Sequence, residues 1–514
     1  MIRRFGTVIC IIAVATLFIS LAILAHEGTR GSDGFWYLQE IETLANDNSI
    51  ESNLYYSGTY WRSGFNEENN YFIHHTLVHH LVLPFAKIFG SYSGWFIANA
   101  LFAFLGSILI GLATTNSTGS VRMGVLISSI YLLLPNTIWQ SFNILQEGIT
   151  ASYMCLLVLI WERTLNNTNK STYYFIGGLL GAIGILLHPI FIIWNFGLII
   201  QLAVSYKDFD KYKLGILFTV ILGLIITTNS LKEDILPGIY TPASSLSDIL
   251  AGSTGDNMSF YMDYTLAGPN FNSVCNKLLL SLKAQFLQLN LTAIFFVPFN
   301  ILLILLFTKL IIYWRTKNYV GITHLIIPVL LVGGLFAITV LHQNQFRYSH
   351  MIVPVLIFTL AIAYREYVAR IFSDRKYLVL FATSMMILAV VDFKLSQGIA
   401  ESARDVDPYI GSIRAESAIV SDTTKVIYIF DSKNTSTGWT QYLSSTWALY
   451  PRPILLLDAN HLNYPEFNES IIHFAPQVLI LQDTLSLEEI SSLPFSLELV
   501  SKGVLRIYEI AVDN

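Results

Sequence analysis

Long apolar runs recur along this chain from its first residues to about position 393, and they decide what it can fold into. A helix needs roughly 17 to 25 mostly apolar residues to cross about 30 Å of hydrocarbon. Runs of that order lie near residues 5–25, 93–114, 121–139, 148–162, 172–187, 189–205, 214–229, 286–308, 322–341, 350–364 and 377–393. Inside lipid every backbone N–H and C=O must find its partner within the protein, which leaves helices or closed barrels. The runs lack the alternation of barrel strands. The expected fold is therefore an α-helical polytopic membrane protein with about eleven transmembrane helices. Composition agrees, with 54% hydrophobic and 13% charged residues and a mean hydropathy of +0.55.

Lys and Arg placement sets the expected orientation, because short cytoplasmic loops keep positive charge. With the amino terminus inside, six short inner stretches hold Arg3, Arg4, Arg122, Arg163, Lys170, Lys207, Lys211, Lys213, Lys309, Arg315, Lys317, Arg365, Arg370, Arg375 and Lys376. These are half of the thirty basic residues, in far less than half of the non-apolar chain, so the bias supports this topology. An odd number of spans then puts the carboxyl-terminal region outside. The run after "MIRR" is long and lacks a small-x-small cleavage site before His26, so it reads as a retained anchor. The net charge of −5 is spread out, which gives no reason to expect nucleic acid as a partner. Two of the three cysteines, Cys10 and Cys155, fall inside apolar runs, and no disulfide framework or zinc motif is implied.

The expected organisation is a transmembrane domain over 1–393, with outer loops at 26–92 and 230–285, and an extracytoplasmic domain over 394–514. The first loop is acidic and rich in Trp and Tyr, too aromatic for a flexible linker. The second carries Gly, Pro, Ser and Asn punctuation suited to a lid. In the last region, "KVIYIFD", "PILLLDAN", "QVLILQD" and "GVLRIYEI" alternate with polar connections, which predicts a small α/β domain.

Several residues carry possible chemistry. Asp33 follows Ser32 where Phe35, Leu38, Ile41 and Leu44 begin a helical pattern. Two readings are open: an acid that caps this helix, or a general base that takes the proton of an attacking hydroxyl. Arg347 stands in a short outer connection between two runs. It either snorkels to lipid headgroups or binds a lipid phosphate through its planar fork. In "NYFIHHTLVHHLVLP" only His75 and His79 share a helical face, where two imidazoles suit a divalent metal or simply a polar interfacial face. Glu147 enters the fourth run, where it serves the helix dipole or a site. His188 and Pro189 read as a hinge.

The order of these parts resembles the GT-C superfamily of integral membrane glycosyltransferases, of the mannosyltransferase and aminoarabinose-transferase kind. The resemblance rests on "SDGFWYLQEIETLAN", "HHTLVHHLVLPFAKIFG", "LQEGITASYMCLLVLIWERTL", "GGLLGAIGILLHPIFIIW" and "QFRYSHMIVPVL". Asp33 with Tyr37, and Arg347 with Tyr348 and Pro354, match the family's acid-tyrosine and arginine-tyrosine-proline patterns. Gly34 stands where many relatives have a second acid, and His74 and His75 where they have a proline pair. The resemblance implies transfer of a sugar from a polyprenyl-phosphate donor to a glycan, lipid or protein acceptor, at the outer face of a bacterial inner membrane. Asp33 is then the base and Arg347 the phosphate ligand. Tyr37, Tyr348, Arg62, Glu147, His75 and His79 are further candidates for donor, acceptor or metal contacts, among membrane lipids as the surrounding partners. A glycan polymerase and, less well supported by the few polar residues deep in the runs, a lipid-linked-sugar transporter are the alternative functions.

Overall fold

Among the described residues the apolar runs form helices, and the runs near the carboxyl terminus form strands of one sheet. The computed structural model describes residues 2–25, 32–49, 54–56, 76–166, 170–188, 190–205, 293–342, 346–373, 375–404, 407–430, 446–458, 471, 474–482, 496–503 and 505–511. The expected span at 214–229, the loop at 230–285 and the Arg62 and His75 positions lie outside them. The chain separates into two compact units, each built from discontinuous segments.

The first unit holds Met1–His26, Phe96–Ala243 and Ala267–Ile399. Its described helices are α1 (Ile2–Ala25), most of α4 (Ser91–Thr118), α5 (Val121–Leu132), α6 (Pro135–Ser141), α7 (Glu147–Asn166), α8 (Lys170–Ile185) and α9 (Ile190–Ser205). After the undescribed stretch come α10 (Ala293–Arg315), α11 (Tyr319–His342), α12 (Phe346–Ala363), α13 (Arg365–Ser373) and α14 (Arg375–Arg404). Four described helices are long and apolar enough to cross a membrane, five if the bent pair α5 and α6 is one span, and six more are apolar but shorter. These helices mark an integral membrane protein.

One core cluster joins Phe18, Leu21 and Ala25 of α1 to Phe96 and Ala103 of α4, Phe142 after α6 and Ile399 of α14. Polar links tie other helices together. Trp161 Nε1 donates to Gln201 Oε1 at 2.9 Å, and Gln201 Nε2 donates to the Thr323 carbonyl at 3.0 Å, so α7, α9 and α11 share a buried hydrogen-bonded chain. The expected continuous span at 121–139 is instead broken, with a 61° bend between α5 and α6. Pro135 supplies the reason. It holds Leu134 in an extended conformation (φ −71°, ψ 135°) and opens α6 at a position where its missing N–H costs nothing.

The second unit holds Glu27–Trp95, Ser244–Leu266 and Ala400–Asn514. Its described helices are α2 (Ser32–Asp47), α3 (Thr76–Phe89) and α15 (Asp407–Ser417). Its strands are β1 (Leu54–Tyr56), β2 (Val426–Phe430), β3 (Ile454–Asp458), β4 (Val478–Gln482), β5 (Ser496–Lys502) and β6 (Leu505–Ala511), in the order β1-β3-β2-β4-β6-β5. The first four lie parallel, while β6 and β5 run antiparallel at one edge. Ile427, Ile429, Leu455, Leu457, Leu479 and Leu481 point to one buried face with Phe474 and Tyr508. The alternate residues Val426, Tyr428, Ile454, Leu456 and Ile480 are buried as well. Burial on both faces is why these strands read as unbroken apolar runs.

Arg452 fastens α15 beside the sheet. Its guanidinium donates to the carbonyls of Val420, Leu449 and Ser417 and lies 3.2 Å from Asp422. Arg452→Met keeps much of the stem but takes the guanidinium from the Val420 carbonyl, while the carbonyls of Ser417 and Leu449 keep the backbone N–H groups of Val420 and Arg452. Thermal unfolding of the purified protein is expected to show a loss of about 1 to 3 kcal/mol for the unit.

Candidate active site

Helix α2 starts where the sequence pattern places it. Phe35, Leu38, Ile41 and Leu44 are all buried, so the 3.6-residue stripe is the packed face. Asp33 is the second residue of this helix, and positions 33, 37 and 40 fall on a common stripe. Tyr37 is buried on that stripe, with its ring stacked 5.8 Å from His79 of α3 and 5.0 Å from Trp95. His79 meets Trp95 edge-on at 5.3 Å, and its Nε2 lies 2.9 Å from Glu40 Oε2. The pair is closed off, with side-chain exposures of 0% for His79 and 5% for Glu40.

The structure thus brings together two predicted residues, Tyr37 and His79, and adds two that sequence reasoning missed, Glu40 and Trp95. The signal for Glu40 was present: it stands three residues beyond Tyr37 and seven beyond Asp33. The carboxylate of Glu40 occupies the Nε2 side of His79, so this imidazole bridges α2 to α3. Among the described residues, no three His, Cys, Asp or Glu side chains converge in a way that could hold a metal ion.

In the first unit, Glu147 is the first residue of α7 and is 1% exposed. A carboxylate there meets the positive end of the helix dipole. The turn that delivers it is held by Asn99 of α4, whose Nδ2 lies 2.6 Å from the Asn143 carbonyl and 3.1 Å from that of Leu145. Gly148 lets the turn close. A Cβ there would sit 2.9 Å from the Gln140 carbonyl oxygen and 3.4 Å from Asn99 Oδ1. Gly148→Ala is therefore expected to displace the start of α7 at a cost of about 1 to 3 kcal/mol, read as a lowered Tm in detergent.

Arg347 and Tyr348 are the second and third residues of α12. The next residues, Ser349 and His350, are buried against α5 and α6: Asn136 Nδ2 donates to Ser349 Oγ at 3.3 Å, and the Tyr131 ring stacks on His350 at 6.1 Å. The Tyr131 hydroxyl also lies beside the Cys155 thiol of α7. Further along, Trp161 of α7 meets Phe358 of α12 at 5.8 Å. These contacts fix α7 and α12 as parallel neighbours. Glu147 lies about four turns before Trp161 and Arg347 about three turns before Phe358, so both positions stand at the same end of the unit, within about one turn in height. His188, the expected hinge, serves as a cap: its Nδ1 accepts from the Ile190 N–H at 3.2 Å at the start of α9.

Chemically, the α7 and α12 end offers a buried carboxylate and the backbone position of a guanidinium near the mouth of a polar seam. Asn136, Gln140, Gln146 and Thr150 are buried there as well. Buried ionisable and amide groups in an apolar helix bundle make this end a candidate site.

No family model matches the chain, and no curated relative matches it in sequence. In shape the chain is similar to ArnT from Cupriavidus metallidurans in the apo state, with a TM-score of 0.56 at 11% identity over 99% of this chain and 98% of that one. The same protein bound to undecaprenyl phosphate gives a TM-score of 0.56 at 11% identity over 98% and 97%. An oligosaccharyltransferase from Archaeoglobus fulgidus in the apo form gives 0.49 at 12% identity over 91% of this chain and 69% of that one. At such identity the likeness to ArnT is one of fold.

Proposed function

We propose that this chain is a glycosyltransferase that moves a sugar from a polyprenyl-phosphate carrier to an acceptor hydroxyl at the extracytoplasmic face, with inversion, from a bundle of about eleven spans. The observation that carries this reading is the end-to-end likeness in fold to ArnT, which has been seen bound to undecaprenyl phosphate. The parallel placement of α7 and α12, with Glu147 and Arg347 at one end, supports it.

In this reading Asp33 takes the proton of the acceptor hydroxyl as its oxygen attacks the anomeric carbon. The bond between that carbon and the carrier phosphate oxygen breaks, its electron pair stays on the phosphate, and Arg347 neutralises the charge that develops. Glu147, Tyr348 and Arg62 orient donor or acceptor. Tyr37, beneath Asp33 on the same stripe and packed on His79, keeps the start of α2 in place.

Purified protein in proteoliposomes, supplied with polyprenyl-phosphate sugars extracted from the source cells, is expected to convert them to free polyprenyl phosphate, followed by mass spectrometry. If the donor pool is left intact with every cell-envelope acceptor fraction added, the assignment fails. Arg347→Ala is expected to raise the donor KM and lower kcat together, because the guanidinium meets both bound and departing phosphate.

A further inference from the structure

The carboxyl-terminal half of α2, the end of α3 and the segment following α15 line an open cavity of about 900 Å³ within the second unit. It lies about two and a half turns along α2 from Asp33. Glu42, Lys87, Ser91, Arg414, Tyr450 and Arg452 are among the residues that line it.

Most of these groups are already engaged. Arg452 is spent on three backbone carbonyls and Asp422, and the Tyr450 hydroxyl donates to Asp47 Oδ2 at 3.2 Å. Burial raises the Glu42 carboxyl above its ordinary range, while hydrogen bonds from Trp447 and Ser91 and the charge of Arg414 pull it back. The two remaining cations have unspent capacity. Arg414 lies over the Trp447 ring at 4.6 Å, and its guanidinium makes no hydrogen bond with the described residues. Lys87 is exposed and makes no hydrogen bond or ion pair among them. With Asp422 balancing Arg452, the cavity presents two cations against a single carboxyl that burial biases toward its neutral form.

Its rim includes Ser91, the first residue of a helix long and apolar enough to cross a membrane. This helix, α4, begins directly after Gly90 (φ +81°), which separates it from α3. Beside Lys87, Ile88 is 72% exposed and Phe89 51% exposed. Apolar side chains exposed at the end of an amphipathic helix, next to a lysine and a span's first residue, are the chemistry of a segment seated at the headgroup level.

We propose that this cavity binds the phosphate headgroup of an anionic membrane lipid, held by Lys87 and Arg414, whose acyl chains lie along Ile88, Phe89 and the start of α4. A free phosphate ion shares the headgroup's chemistry, so the test separates the two. Full-length protein in detergent is titrated with dioleoyl phosphatidic acid and, separately, dioleoyl phosphatidylcholine, and bound lipids are counted by native mass spectrometry. Wild type is expected to prefer phosphatidic acid. Lys87→Ala and Arg414→Ala each weaken it by about tenfold or more, the loss of a charge-assisted contact, with phosphatidylcholine unchanged. Arg347→Ala leaves this binding intact, which distinguishes the site from the one for transfer. Retention in excess inorganic phosphate supports the lipid headgroup; displacement by it overturns the lipid and assigns the cavity to a soluble phosphate. Equal binding of phosphatidic acid by wild type and Lys87→Ala overturns the site altogether. That variant decides alone if Arg414→Ala lowers the Tm, because Lys87 makes no hydrogen bond or ion pair among the described residues.

Discussion

Asp33→Asn is expected to lower the rate of sugar transfer by about 10²- to 10⁴-fold while leaving the Tm within about 1 °C of wild type. Asparagine still serves the first turn of α2 as a hydrogen-bond acceptor, so the capping role survives the change. What it removes is the ability to take a proton from an acceptor hydroxyl. The two open readings of Asp33 therefore separate in one experiment. A cap-only residue gives full activity in the asparagine variant and a measurable loss of stability in Asp33→Ala; a base gives an inactive asparagine variant that unfolds normally.

The largest expected effect on stability belongs to His79. His79→Leu fills the space beneath Tyr37 and Trp95 with an apolar group, yet it takes from the Glu40 carboxylate, 5% exposed, the imidazole 2.9 Å away. Breaking one side of a buried pair costs about 3 to 5 kcal/mol, most of it the penalty of the charge left behind. The double variant His79→Leu with Glu40→Leu should recover most of that loss. Thermal or denaturant unfolding of the four proteins of this cycle checks the coupling, and additive losses would mean that His79 and Glu40 act separately.

Both predictions turn on α2, and α2 was readable in advance because its apolar residues repeat at helical spacing behind a Ser-Asp start. The strand runs near the carboxyl terminus were readable for a different reason. Val426–Phe430, Ile454–Asp458 and Val478–Gln482 are buried on both faces, so they carry almost no polar residues. The edge strand Ser496–Lys502 was not, since its residues are mostly exposed and mix charges with apolar side chains. Nor was Leu54–Tyr56, only three residues of the first loop, legible as the partner of Ile454–Leu456, because pairing across four hundred residues leaves no local trace. The break before Pro135 had a signal in the proline itself, outweighed by the continuous apolar run around it.

Site residues were legible by type more than by partner. Glu147 stood out as an acid entering an apolar run, but its setting depends on Asn99, which reaches the same turn from α4. His79 attracted notice as one of four histidines, and the identity of its neighbour as Glu40 emerged only from the packing of α2 on α3. Sequence spacing ranks residues along one helix; it cannot say which face of a second helix will meet them.

The proposed function requires that this fold hold a polyprenyl-phosphate carrier, with Arg347 at its phosphate. Native mass spectrometry of lipids that remain on the detergent-purified wild type and on Arg347→Ala tests it most directly. A polyprenyl phosphate or its glycosylated form, retained by wild type and lost from the variant, is the predicted result. Bulk phospholipid alone on both proteins, with added polyprenyl phosphate failing to bind either, would contradict it.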